Sequence, residues 1–147
     1  MPRVLAVDWG ERRVGLAVSD PEGILASGLE TLTVRGTEEA LEGVARAARE
    51  TEAERVVVGL PLLLSGEHGE AARAAQAFAD ALAARLGVPV DTYDERLTSA
   101  LSTRRLREAG LKTRGRKARV DQGAAVALLE SYLQRLRSVG PGQGGAG

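Results

Sequence analysis

Val4-Leu5-Ala6-Val7-Asp8-Trp9-Gly10 is a short apolar run that ends on a carboxylate and a glycine. Such a run reads as a buried strand. Its final acid is the anomaly, because an unpaired ion inside a sheet costs several kcal/mol or more. Asp8 therefore either caps the strand in solvent or belongs to a site. Trp9 is open in the same way: it could touch a bound ligand or simply cover the site.

The neighbouring sequence puts this strand inside a sheet. Gly10-Glu11-Arg12-Arg13 reads as a tight turn, and Val14, Leu16 and Val18 alternate with Gly15, Ala17 and Ser19, so a second strand runs back as a hairpin. After a turn at Asp20-Pro21-Glu22-Gly23, Ile24 to Val34 reads as a third strand interrupted by Gly28. Thr37 can cap a helix carrying Ala40, Leu41, Val44, Ala45 and Ala48 at helical spacing. Arg55 to Leu60 is an unbroken β-branched run, the mark of a strand buried on both faces, and Pro61 ends it. A loop from Leu62 to Gly69 leads to an alanine-rich helix, Glu70 to Leu86, and then to a strand from Val88 to Tyr93. Thr98 or Ser99 can cap a further helix reaching Arg107, and Lys112 to Lys117 reads as a basic loop broken by Gly115. A last helix is expected from about Val120 to Leu136, with Ala124, Ala125, Leu128, Leu129, Tyr132 and Leu136 as its apolar stripe.

Three antiparallel strands followed by alternating helices and strands are the order of an α/β, RNase H-like layer fold. Right-handed crossovers predict a five-stranded mixed sheet in the order 3-2-1-4-5, flanked by helices. Residues 1–137 form the expected domain, and residues 138–147 a disordered Gly-rich tail.

Composition narrows the chemistry. Cysteine is absent and His68 is the one histidine, which removes Cys-ligated zinc and most imidazole catalysis. No apolar span is long enough to cross a membrane, and Met1-Pro2-Arg3 leaves no room for a signal peptide, so a cytoplasmic protein is expected. The net charge is zero, but its distribution is uneven. Between Arg96 and Arg119 nine basic residues face a single acid, Glu108. That asymmetry suggests one face for a polyanion.

Two more acids stand where structure alone does not ask for them. Glu95 follows the last predicted strand, and Asp121 opens the last helix on the stripe of Ala124, Ala125 and Leu128. Separately, Glu95 could be a solvated loop residue and Asp121 a helix cap. Together they converge. The first and last strands run parallel, so Asp8 and Glu95 share an edge, separated by roughly twice the 4.8 Å strand spacing. Between them lies the strand that ends near Gly59, which has no side chain. Three carboxylates without His or Cys make a hard-oxygen site suited to Mg²⁺ or Mn²⁺, as two ions about 3.5–4 Å apart.

Four stretches then carry a family resemblance. They are Val7-Asp8-Trp9-Gly10 with Arg13-Val14-Gly15-Leu16-Ala17 and Ser19-Asp20; Val57-Val58-Gly59-Leu60-Pro61; Tyr93-Asp94-Glu95-Arg96-Leu97-Thr98-Ser99; and Val120-Asp121-Gln122 with Ala124-Ala125 and Ser131-Tyr132-Leu133. In order and spacing the chain resembles the YqgF/RuvX family, described as pre-16S rRNA nucleases and as Holliday-junction-resolvase-like. One departure is visible: many members carry Asn or another polar residue near position 63, where this chain has Leu63. The resemblance implies that Asp8, Glu95 and Asp121 are the catalytic metal ligands. Arg13, Arg96, Arg114, Arg116, Lys117 and Arg119 would hold backbone phosphates, and Gly10, Gly59 and Pro61 would shape the site. It further implies a two-metal nuclease acting on RNA at the 5′ end of pre-16S rRNA, on a ribosomal precursor particle. The alternatives are a resolvase-like DNA nuclease and a non-catalytic nucleic-acid-binding module.

Overall fold

The structure, a computed structural model, describes residues 2–98 and 114–139, with side chains for residues 2–98 and 123–138. The predicted helix from Thr98 or Ser99 to Arg107 lies outside the described residues, as does the chain from residue 140 onward.

Among the described residues, six strands and three α-helices follow in chain order: β1 (Val4–Asp8), β2 (Arg13–Ser19), β3 (Ala26–Gly28), β4 (Leu32–Thr33), α1 (Thr37–Glu50), β5 (Arg55–Leu60), α2 (Glu70–Arg85), β6 (Val90–Asp94) and α3 (Arg114–Val139). The sheet runs β3-β2-β1-β5-β6, with β4 also paired to β2. β1, β5 and β6 are parallel, while β2 runs against β1 and β3. This is the expected order with the opening strand in the middle, except that the sheet has six strands and not five.

The predicted third strand is two short ones. β3 pairs with Ala17–Ser19 and β4 with Arg13–Val14, so both lie along the seven-residue β2 and the chain leaves the sheet between them. α1 starts at Thr37, but its N-cap is Gly36 and no side chain caps it. The expected Thr37 cap is thus displaced by one residue: Gly36 is extended, and its carbonyl takes the first helical bond from Ala40 N at 3.1 Å. Of the stretch Lys112–Lys117, expected as a loop, residues 114–117 are helical and form the opening of α3, and residues 112 and 113 lie outside the described residues. A single Gly115 costs a helix only about 1 kcal/mol, and the Arg, Lys and Ala around it are good helix formers.

Every residue of β1 is buried, because helices cover both sheet faces. Alternation divides the strands between two cores. Leu5, Val7, Val56 and Val58 pack with Val44 of α1 and with Phe78 and Leu82 of α2. Val4, Ala6, Ala17 and Val57 pack under Ala124, Ala125, Leu128, Leu129, Tyr132 and Leu133 of α3. The small residues on that second face allow α3 to lie close to the sheet.

Candidate functional site

The site follows from strand register. Val7 of β1 pairs with Val58 of β5, so Asp8 and Gly59 lie side by side. On β1's other flank Asp8 pairs with Gly15. Gly59 pairs with Tyr93 of β6, and Leu60 with Asp94. Two glycines therefore flank the carboxylate. By alternation Asp8 shares the face of Val4 and Ala6, under α3, while Trp9 turns to the opposite face. There its ring stacks on Phe78 with centroids 5.5 Å apart. The indole thus packs against the α1/α2 core and anchors the end of β1 beside Asp8.

Glu95 lies beyond the end of β6, and a turn folds its side chain inward. Residues Glu95–Leu97 form one 3₁₀ turn in which Asp94 Oδ1 accepts from Arg96 N at 2.9 Å. Thr98 closes it by donating from N and Oγ1 to the Glu95 carbonyl, both at 3.1 Å. The glutamate side chain consequently lies over Gly59. A Cβ at position 59 would stand 2.9 Å from Glu95 Cγ and 3.0 Å from Cδ, and would also collide with Oε1. Asp8 is 1% exposed and Glu95 is completely buried. Two fully desolvated carboxylates thus flank one strand end whose central residue is a glycine.

Asp121 lies in α3, one turn before Ala124 and Ala125. The direction of α3 shows which sheet edge that turn approaches. Tyr132 Oη donates to Asp91 Oδ2 at 2.7 Å and accepts from Arg55 Nη1 at 3.2 Å. Arg137 Nη1 donates to the Gly23 carbonyl at 3.0 Å. Asp91 and Arg55 stand at the beginnings of β6 and β5, and Gly23 lies in the turn after β2. All three mark the sheet edge opposite Asp8. α3 therefore runs against β1, and its early turns approach the edge where β1 and β5 end. From Tyr132 back to Asp121 the helix rises about 16 Å, compared with about 13 Å along β5 from Arg55 to Gly59. The Asp121 side chain is outside the described set. Among the described residues no three His, Cys, Asp or Glu side chains form a metal-binding group.

The basic residues divide. Arg13 opens β2 on the face of Gly15 and Ala17, the Asp8 face, and is partly exposed. Arg114, Arg116, Lys117 and Arg119 occupy the first turns of α3. Arg96 is engaged: Nε contacts Asp94 Oδ1 and Oδ2 at 3.1 and 3.0 Å, Nη2 contacts Oδ2 at 2.7 Å, and Nη1 donates to the Leu64 carbonyl at 3.2 Å. The guanidinium holds the Asp94 carboxyl below the ordinary carboxylate range. Asp94 is the residue that sequence reasoning overlooked; the Asp-x-Arg spacing at a strand end was its signal. Gly10 is required by contact, since a Cβ there would lie 2.8 Å from the Arg13 carbonyl oxygen. Pro61 is buried directly after β5, and His68 is exposed in the following loop.

The donor set consists of carboxylate oxygens, which fits a hard divalent ion. Gly59 leaves the space that the Glu95 carboxyl fills, so a methyl group at that position would displace the Glu95 side chain.

Comparison with known proteins agrees with this architecture. A family model described as "RuvX: Holliday junction resolvase" matches residues 2–135. A Chloroflexus aggregans protein named "Putative pre-16S rRNA nuclease" is 46% identical over 135 residues, 92% of this chain and 95% of that protein. One of the same name from Anaeromyxobacter dehalogenans is 44% identical over 133 residues, 90% of this chain and 97% of its own length. Among solved structures, T. thermophilus RuvC in complex with a Holliday junction substrate superposes with a TM-score of 0.57 at 20% identity, covering 94% of this chain and 98% of that one. The fowlpox virus resolvase bound to Holliday junction DNA gives 0.53 at 13% identity, covering 91% and 98%. At those identities the likeness is one of fold, which is RNase H-like.

Proposed function

The chain belongs to the RuvX family, and on that premise we propose that it is a divalent-metal-dependent nuclease that trims the 5′ end of pre-16S rRNA. The observation that carries the reading is the burial of Asp8 and Glu95 on either side of Gly59. Asp8, Glu95 and Asp121 would hold Mg²⁺ or Mn²⁺. A pair of such ions, held by these carboxylates, would supply Lewis acidity toward an attacking water and counter-charge for the departing 3′ oxygen.

The chain's own residues do the rest. Asp8 sits on a central strand clamped from both faces, so its oxygens are held in a fixed direction. Glu95 is fixed by its turn and by the floor at Gly59. Arg13, with Arg114, Arg116, Lys117 and Arg119, would grip backbone phosphates on both sides of the scissile bond. Such contacts are salt-sensitive and largely blind to sequence. Hydrolysis by this route leaves a 5′-phosphate. We place the protein in the cytoplasm, on a ribosomal precursor; no helix among the described residues is long and apolar enough to cross a membrane. The domain would span residues 1–137.

A second reading, cleavage of branched DNA, draws on the family description and the RuvC likeness. One experiment addresses both. Wild type and Asp8→Asn are incubated with Mg²⁺ or Mn²⁺ and either a 5′-extended 16S precursor or a four-way DNA junction. Loss of a ligand worth several kcal/mol should lower precursor cleavage by at least about 10³-fold. Equal cleavage by both proteins would sink the site; preferential junction cleavage would sink the RNA assignment.

A further inference from the structure

Resting on the nuclease reading, we propose that Leu63, Leu64 and Leu97 form an apolar rim on which unpaired nucleobases next to the scissile phosphate pack, with Arg96 as the residue that positions it. These leucines are 52%, 73% and 59% exposed. They lie where the chain leaves the site: Leu63 and Leu64 follow β5 shortly after Gly59, and Leu97 comes two residues after Glu95.

The exposed leucines are held in place by hydrogen bonds. Leu63 N donates to the Glu67 carbonyl at 3.0 Å, and Gly66 N to the Leu63 carbonyl at 2.8 Å. Gly66 is left-handed, with φ of +91°, and a Cβ there would lie 3.3 Å from Arg96 Nη1. Arg96 joins the two segments: its fork is fixed on Asp94, and Nη1 holds the Leu64 carbonyl. Exposed apolar side chains on a braced loop beside a polar site mark a contact surface.

The occupant follows from what the chain lacks. Proteins that grip single strands usually stack bases on aromatic rings. This sequence has four aromatic residues in all. Trp9 is stacked on Phe78, which is buried, and Tyr93 is in an edge-to-face pair with buried Tyr132. Each is committed to packing. Among the described residues, Leu63, Leu64 and Leu97 are the exposed large apolar side chains on the segments that follow Gly59 and Glu95, and leucine is among the apolar side chains that wedge against partly unstacked bases in nucleic-acid-binding proteins. A strand with its phosphate at Asp8 and Glu95 would bring its adjacent bases to this rim. A base-paired strand, with its bases stacked in the duplex, would not.

The test uses the full-length Asp8→Asn protein with Mg²⁺, which should bind without cutting. A short single-stranded RNA and the same backbone with abasic residues are titrated against it. Leu64→Ser should weaken binding of the base-bearing strand by about fivefold to tenfold and leave abasic binding and the salt dependence unchanged. Arg96→Ala should reproduce that selective loss although every leucine remains. Equal affinity for base-bearing and abasic strands, or undiminished binding by Leu64→Ser, would overturn the rim while leaving the nuclease reading intact. Absence of binding to any strand would remove both. If Leu64→Ser changes only the sedimentation of the protein, the patch is a contact between protein copies and the proposal is wrong.

Discussion

At Gly59 the decisive quantity is a missing methyl group. Glu95 fills that volume and is wholly buried, so it has no solvent into which to retreat. Gly59→Ala should therefore fold with a stability loss of about 1–3 kcal/mol, in the range of overpacked cores. Its cleavage rate should fall by about 10²-fold, as expected of a reacting group displaced by about 1 Å. Denaturant unfolding and a rate assay on the same preparation check this; full activity would mean that Glu95 plays no part. Asp8 and Glu95 were legible as anomalies because each is an acid at the end of a strand. The pairing of Arg96 with Asp94 was not, since it forms only when the 3₁₀ turn brings the two side chains together. Trp9 was undecidable for a similar reason: its partner Phe78 is far away in sequence and emerges only when α2 crosses the sheet.

Among the elements, β1 has two sides with different duties. Asp8 faces α3 while the next residue, Trp9, is pinned to Phe78 on the α2 side. Phe78→Ala should destabilise the fold by about 3–5 kcal/mol through the lost packing and the cavity. Because Trp9 is the only tryptophan, its emission should move to the red in the folded variant. Unchanged emission would show that Trp9 does not depend on α2. Buried strands and the bodies of α1 and α2 were readable from periodicity. Two things were not. The split into β3 and β4 depends on how far β2 can pair, a tertiary matter. The early start of α3 runs against the local signal of Gly115, which suggested a break where the helix continues.

For the whole molecule, pH is a probe of the sheet edge remote from the acids. Burial, and then the hydrogen bond to Asp91, push the Tyr132 phenol up to about 12. A raised pKa means the folded state keeps a proton that the unfolded chain releases. The stability this contributes is full below about pH 10, the ordinary tyrosine value, and is lost as pH rises through 12. Denaturation curves should therefore weaken between those limits. Tyr132→Phe should flatten that decline and cost about 1–2 kcal/mol at neutral pH, because it strips partners from Arg55 and Asp91. A decline of the same steepness in the variant would assign it to other groups.

Among the described residues, the helical layer of the second core comes from α3, the last element described. During synthesis the faces of β1, β2 and β5 that carry Val4, Ala6, Ala17 and Val57 are made early and remain uncovered until that helix leaves the ribosome. At about 5–20 residues per second that is an interval of seconds. Throughout it the nascent chain carries a greasy, half-built sheet. A chain that is obliged to carry such a face for seconds is most in need of a chaperone during that same interval.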